Sequence, residues 1–121
     1  MNTLTLDTLL ERELFPPPQL IKIDVQGAEE EVLNGSSKAL LQAQVVILDL
    51  SIVNSYANGL LAGEMIQNMQ GNGFLLYDIA GLNRANRTRS VNEFDGIFVR
   101  HDSALWDVSN FLPSDAPASE L

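Results

Sequence analysis

The sequence of 121 residues contains no cysteine, so it carries neither a disulfide framework nor a thiolate metal site. It also lacks an apolar run near the roughly 20 residues that a membrane-crossing helix needs, and MNTLTLDTLL has no basic segment of the signal-peptide type. Basic side chains are scarce, with 7 Lys and Arg against 16 Asp and Glu and a net charge of −9. Such a surface repels phosphate backbones and anionic membranes. We therefore expect a cytoplasmic protein that binds neither nucleic acid nor membranes.

The length and hydrophobic content are those of one modest globular domain. Hydrophobic residues make up 45% of the chain, which is typical of a folded domain. The C-terminal stretch FLPSDAPASEL is rich in Pro, Ser and Ala, a composition typical of chain ends that fray. We expect the domain to occupy residues 1–110 and a flexible tail to occupy residues 111–121.

The hydrophobic periodicity predicts alternating helices and strands. Helical patterns cover residues 3–14, the acidic segment AEEEVLNG, the short SSKALLQ and residues 60–70, and strand patterns cover 20–25, 45–50, 74–80 and 94–100. Helical crossovers predict parallel pairing of the first three strands, and the loop before the last strand predicts an antiparallel pair. VVILDL is apolar almost throughout, as strands covered on both faces are. We expect an α/β fold of three layers with one reversed strand.

Two local signals mark the helix ends. Thr5 or Asp7 is placed to cap the first helix, because Thr and Asp both accept hydrogen bonds from free N–H groups. Asn34-Gly35 is expected to end the second helix with a left-handed residue.

Three aspartates are predicted at the carboxyl ends of the strands, where open α/β sheets bind ligands. Asp24, Asp49 and Asp78 follow or end the first, second and third strands. A single aspartate beyond a strand often caps the next helix, and for Asp24 alone that reading is equally good. Three carboxylates on one rim favour a ligand-binding site. An unpaired carboxylate is costly to bury, so each of them should reach solvent, a ligand or another of the three.

Other side chains reach the same rim or its surroundings. Gln26, Gly27 and Glu29 follow Asp24 through the turn, and the loop GLNRANRTRS holds three of the seven basic residues. This loop is either an ordinary solvated loop or a binding site for an anionic group of a substrate. His101 follows the last strand and is expected to be a surface residue. The sequence has no G-x-S-x-G elbow and no Walker loop. The remaining candidate chemistry is that of a carboxylate, which could act as a general base, a metal ligand or the partner of a cationic ligand.

The segment LIKIDVQGAEEEVLNG, Leu20 to Gly35, resembles the most recognisable block of the FkbM-type methyltransferases, which use S-adenosylmethionine (SAM). The resemblance continues in order through LTLDTLL, VVILDLS, GFLLYDIAGLNR and EFDGIFVRHDSALW, and so covers almost the whole chain. The last block includes a D-x-x-F-V pattern at Asp95, Phe98 and Val99. One departure lies at Asp49, where the family usually has glutamate.

The resemblance implies a Rossmann-like sheet with strands ordered 3-2-1-4-5-7-6, of which this sequence supplies strands 4-5-7-6 with the last one antiparallel. The family's glycine-rich SAM loop after strand 1, and its acidic residue after strand 2, have no counterpart in this sequence. The chain therefore resembles the C-terminal half of the domain. Its first strand would then have an open edge, which invites pairing with a second copy in a homodimer or with a missing N-terminal half.

The function that the resemblance implies is methyl transfer from SAM to a hydroxyl of a small molecule or sugar. Asp24 is the first choice as base, with Asp49 across from it, and no metal is required, although this pair is an alternative divalent-cation site. A second reading is a catalytically silent half-domain that serves as an oligomerisation or binding module. The expected site consists of catalytic Asp24 and Asp49, cofactor-binding Asp24, Gln26 and Gly27, and substrate-binding Glu29, Tyr56 and Arg84.

Overall fold

The structure is a computed structural model that describes residues 3–53 and 59–107. Two sequence predictions fall outside these ranges, namely the substrate-binding role of Tyr56 and the flexible tail at residues 111–121. Both stay predictions.

The described residues form four α-helices, four strands and one short 3₁₀ turn. In chain order these are α1 (Leu6–Glu11), β1 (Leu20–Ile23), α2 (Glu29–Asn34), α3 (Ser37–Gln42), β2 (Val45–Ser51), α4 (Ala62–Gly71), β3 (Phe74–Arg84), β4 (Val91–Arg100) and the 3₁₀ turn (Ala104–Trp106). Each predicted helix and strand is present. The last two strands are longer than predicted, and the connection between them is correspondingly shorter.

The strands form one mixed sheet in the order β1-β2-β4-β3. β1 and β2 are parallel, and β4 runs antiparallel to both of its neighbours. The predicted parallel start and the antiparallel final pair are therefore confirmed. The prediction that the third strand pairs in parallel is wrong, because β3 runs in the direction of β2 but pairs with β4.

The hydrophobic core lies on one face of this sheet. Val46, Leu48 and Leu50 of β2 are fully buried there and share a single cluster with residues of α2, α3 and α4. On the opposite face of β2, Ile47 and Asp49 are only partly buried. The described residues therefore form two layers where the sequence predicted three, and VVILDL is fully covered on one face only.

The first helix is held against the third by Asp7. Thr5 caps α1 by accepting a hydrogen bond from the N–H of Thr8, as the sequence allowed. The carboxylate of Asp7 instead accepts from the N–H groups of Lys38 and Ala39, at distances of 2.9 to 3.0 Å, and so caps α3. One residue near the chain start thus ends up capping a helix thirty positions away.

The prediction of a left-handed residue after α2 is wrong. Gly35 has φ −85°, an ordinary value for any residue. A Cβ at this position would lie 3.0 Å from Cγ2 of Thr5. A side chain there would press against Thr5, the N-cap residue of α1.

No helix within the described ranges is long and apolar enough to cross a membrane. The cytoplasmic location stays a prediction.

Candidate functional site at the carboxyl ends of β1 and β2

Asp24 and Asp49 are placed side by side by the pairing of two parallel strands. Ile23 of β1 is the register partner of Leu48 of β2, and each aspartate is the next residue in its chain. Ile23 and Leu48 both face the core, at 3% and 0% exposure. Because successive side chains of a strand alternate between faces, Asp49 points to the opposite face, and Asp24 leaves β1 beside it.

A tight turn follows Asp24 and leads into α2. Gln26 and Gly27 both have positive φ, at 54° and 104°. A left-handed conformation is costly for a residue with a side chain, and such strain is concentrated at functional sites. The turn directs the chain sharply away from β1, so that α2 begins beside the end of the strand.

The buried side chain of Glu29 makes a hydrogen bond within this turn. Its Oε2 accepts a hydrogen bond of 3.0 Å from the N–H of Gly27, and the residue is 8% exposed. Gly27 therefore shapes the turn, while its N–H is already used within the chain.

Asp24 does not cap the following helix. The N-cap residue of α2 is Ala28, and no side chain makes a capping hydrogen bond there. The capping alternative for Asp24 is therefore wrong. Its side chain is exposed, and it takes part in none of the hydrogen bonds or ion pairs found within residues 3–53 and 59–107. Its carboxylate is available to a ligand.

Asp49 has an environment that favours its protonated form. The pKa of Asp49 is raised to about 6, mainly by burial and then by the negative charges of Glu93, Asp24, Asp95 and Glu29, in that order of importance. A carboxyl group that titrates near neutral pH is suited to general base catalysis, because it can accept a proton and release it again. Perturbed groups of this kind are concentrated at functional sites.

Two of these charges come from β4 and were missed by the sequence predictions. Asp95 is the direct register partner of Asp49, and Glu93 is the partner of Ser51. Asp95 was noted in the D-x-x-F-V pattern, but only the strand register could place it opposite Asp49. A Cβ on Gly81, which has φ +55°, would lie 2.8 Å from Oδ2 of Asp95. The missing side chain of Gly81 thus makes room for the Asp95 carboxylate.

The prediction that Asp78 belongs to this rim is wrong. β3 continues to Arg84, so Asp78 lies within the strand and pairs with Ile97. It is exposed, its Oδ1 accepts a 2.7 Å hydrogen bond from the N–H of Ile79, and it is not among the charges that act on Asp49. Asp95 and Glu93 take its place.

Arg84 lies at the end of β3, on the same edge of the sheet as Asp24. β4 begins at Val91, two positions before Glu93, which pairs with the last residue of β2. The turn between β3 and β4 therefore projects from the edge where β1 and β2 end. The Nη1 of Arg84 donates a hydrogen bond of 2.9 Å to the carbonyl of Arg89 within this turn.

His101 lies at the other edge, as expected for a residue outside the site. It is exposed, and its N–H donates to the carbonyl of Gly73, which precedes β3. In the part of the chain that the structure describes, no three or more His, Cys, Asp and Glu side chains lie close enough to hold a metal ion.

Comparison with known proteins decides the family. Residues 1–76, more than half of the chain, match the family model described as the Methyltransferase FkbM domain. The chain belongs to the FkbM methyltransferase family. The KIDVQGAE block and the first two strands of the sheet lie within the matched residues.

One relative with a described activity is similar to this FkbM-family chain. It is the hexuronic acid methyltransferase AglP of Haloferax volcanii, which is 38% identical over 50 residues. The match covers 41% of this chain and 21% of the relative, so the chain spans only about a fifth of the relative's length in that match. No solved structure matches the chain.

Proposed function

We propose that this chain is part of a SAM-dependent methyltransferase that methylates a hydroxyl group of a small molecule or sugar. The observation that supports this most directly is the pair of carboxylates at the ends of β1 and β2. Asp49 has a pKa raised to about 6 by burial and neighbouring charge, while Asp24 beside it is exposed and uncommitted. Membership of the FkbM methyltransferase family supplies the reaction class.

Asp49 is the better candidate for the base, although the sequence alone favoured Asp24. It would accept the hydroxyl proton of the acceptor as the oxygen forms its bond to the methyl group, while the bond between that methyl group and sulfur would break and leave S-adenosylhomocysteine. A carboxylate with an ordinary pKa holds that proton poorly, whereas the environment of Asp49 favours the protonated form. Asp24 would orient the acceptor or the cofactor by accepting hydrogen bonds. Most of the acceleration would come from alignment of the two reactants.

The residues after β1 fit one end of a SAM molecule. When bound, SAM supplies the electrophilic methyl group. The carboxylate of Asp24 is exposed and can accept hydrogen bonds from donors such as hydroxyl or amino groups. The family's glycine-rich cofactor loop has no counterpart in the 121 residues, so the rest of that site would come from residues outside this sequence.

For the acceptor we propose a sugar or similar polyhydroxylated compound, which the substrate named for the relative of Haloferax volcanii supports. Glu29, Tyr56 and Arg84 are proposed to contact it. Glu29 would act from within the turn that it closes, and Arg84 from the hairpin at the same edge.

We also propose that the open edge of β1 pairs with another strand, either from a second copy or from an N-terminal half. β1 pairs only with β2 among the described strands. Along its free edge runs an apolar groove of about 440 Å³, whose lining includes Leu4, Leu9, Phe15 and Leu20. Such a groove next to unpaired backbone groups is suited to an added strand. In this proposal β1, β2, β4 and β3 correspond to strands 4-5-7-6 of the complete methyltransferase sheet.

Calorimetric titration of S-adenosylhomocysteine into the purified chain tests the function. Saturable binding that is lost in Asp24→Ala and kept in Asp78→Ala is the expected result, because Asp78 is an exposed carboxylate outside the site. Equal binding by both variants would contradict the role of Asp24. No binding by a well-folded chain would mean that this chain alone does not form the cofactor site. The same titration on a longer polypeptide would then decide whether the proposed function holds.

A second candidate function is a catalytically silent half-domain that assembles with another chain. The groove along the β1 edge favours it. A stable oligomer that does not bind S-adenosylhomocysteine, measured by analytical ultracentrifugation and calorimetry on one sample, is its expected signature. A monomer at high concentration would exclude this candidate.

A further inference from the structure

The turn between β3 and β4 concentrates positive charge on a strongly acidic protein. We call residues 84–90 the arginine tip. It carries Arg84, Arg87 and Arg89, three of only 7 basic residues in a chain with a net charge of −9. All three are exposed.

The arginine tip has a defined conformation of its own. The N–H of Ala85 donates to the carbonyl of Ser90 at 2.8 Å, and the N–H of Arg89 donates back to the carbonyl of Ala85 at 3.0 Å. The hydroxyls of Thr88 and Ser90 lie 2.7 Å apart. Arg84 donates across the turn to the carbonyl of Arg89. The backbone that carries the arginines is thus held in place by internal hydrogen bonds.

None of the three arginines is neutralised by a carboxylate in the described part of the chain. The ion pair found there joins Lys38 to Glu11, far from the tip. Three cations within six positions repel one another. Guanidinium groups bind carboxylates and phosphates through paired hydrogen bonds. The cluster is therefore complementary to an anionic group from outside the chain.

The arginine tip shares one edge of the sheet with the proposed site. On β4, Asp95 lies opposite Asp49, and Val91 directly follows the arginine tip. The two residues are four positions apart, which is roughly 14 Å at the usual strand rise of about 3.4 Å per residue. An extended arginine side chain and a monosaccharide together span such a distance. Negative charge lies at one end of this edge and positive charge at the other, so the local field would orient an anionic ligand with its charge toward the tip.

We propose that the arginine tip binds the anionic group, a carboxylate or phosphate, of the methyl acceptor, with Arg87 and Arg89 as specificity-determining residues. This rests on the proposed function, because the acceptor is the ligand whose hydroxyl faces Asp49. An acceptor without the anionic group would lack this anchor and bind more weakly.

Backbone amide shifts of the 121-residue chain, measured by NMR, test this directly. The probes are glucuronate, glucose 6-phosphate and glucose, which share a sugar ring and differ in their charged group. We expect saturable shift changes at the arginine tip with at least one charged sugar and none with glucose. If only glucuronate shifts these signals, the arginine tip binds a carboxylate. If only glucose 6-phosphate does so, it binds a phosphate. If both do so, it binds an anion of either kind.

The double variant Arg87→Gln/Arg89→Gln is expected to weaken this binding at least about tenfold, because it removes two charged donors that form strong hydrogen bonds to an anion. Arg12→Gln, at an exposed arginine after α1, is the matched control and should bind as the wild type does. Circular dichroism checks that the variants fold. The proposal is overturned if neither charged sugar shifts the tip, if glucose does so equally, or if the double variant binds normally.

These outcomes are independent of cofactor binding. Binding of a charged sugar at the tip, with no binding of S-adenosylhomocysteine by either this chain or the longer polypeptide, would support the anion site and count against the methyltransferase function. The reverse pair of results would support the methyltransferase function and overturn the anion site.

Discussion

Asp49 of β2 and Asp95 of β4 face each other as direct register partners in an antiparallel strand pair. Like charges at this position destabilise a sheet. Glu93 lies on the next pair along the same face and Asp24 at the end of β1, and both also act on Asp49. Lys22, the charged residue of β1 on that face, is exposed and is not among the groups that act on Asp49. The chain thus keeps an unfavourable cluster where the proposed chemistry takes place, as active sites often do.

Removing the charges on β4 is expected to lower the pKa of Asp49. Glu93→Gln should lower it more than Asp95→Asn, because Glu93 has the larger effect. Neither variant should return it to the ordinary value of 3.8, because burial is the largest cause of the shift. The measurement is an NMR titration of the Asp49 carboxyl carbon. Asp78→Asn is the control and should leave the midpoint in place; an unchanged midpoint in both β4 variants would contradict the prediction.

The raised pKa of Asp49 also predicts a pH dependence of stability. The folded state holds the proton up to a pH of about 6, and the unfolded state releases it near 3.8, so the stabilising contribution is complete below pH 3.8 and is lost as pH rises through 6. Asp49→Asn should therefore increase the free energy of unfolding at pH 7 by about 1 kcal/mol, a value reduced for solvent screening.

Urea denaturation at pH 7 and at pH 4 measures this effect. The difference between wild type and Asp49→Asn should be largest at pH 7 and much smaller at pH 4. Asp78→Asn should show no such pH-dependent gain. A gain of equal size at both pH values would show that the variant acts through packing rather than through the titration of Asp49.

Gly96 is expected to tolerate no side chain. A Cβ there would lie 2.7 Å from Cδ1 of Leu50 and 3.0 Å from Cε2 of Phe98, both within the fully buried core. Gly96→Ala should lower the free energy of unfolding by about 1–3 kcal/mol, the usual cost of overpacking. Gly63→Ala, with no atom within 4 Å of the added Cβ, should be neutral or slightly stabilising. Thermal denaturation distinguishes the two, and similar midpoints would argue against the packing at Gly96.

Asp7 is predicted to stabilise the fold through α3. Asp7→Ala removes the acceptor of two N–H groups, those of Lys38 and Ala39, and should lower the free energy of unfolding by about 1–2 kcal/mol, the usual cost of losing a helix cap. Glu11→Ala breaks only an exposed ion pair with Lys38 and should cost less than Asp7→Ala does, because exposed ion pairs contribute little to stability. Chemical denaturation of both variants checks the order. Equal losses would mean that Asp7 does not cap α3.

Local sequence patterns are enough to predict the helices and strands of this protein and the family it belongs to. Period-3.6 and period-2 patterns placed each described helix and strand, since burial of one apolar face requires them. The KIDVQGAE block carried the family resemblance. The pairing of Asp24 with Asp49 was also predictable, because parallel neighbours end at one edge of a sheet.

The groups that surround those two carboxylates are set by contacts between distant parts of the chain. Asp95 and Glu93 reach Asp49 through the register of β2 and β4, and Asp78 leaves the rim because β3 runs six residues further. Burial, which is the main cause of the raised pKa of Asp49, depends on segments distant in the chain. The same holds for Asp7, which caps a helix other than its own. Register and long-range packing arise from contacts between distant residues, and local sequence patterns do not encode them.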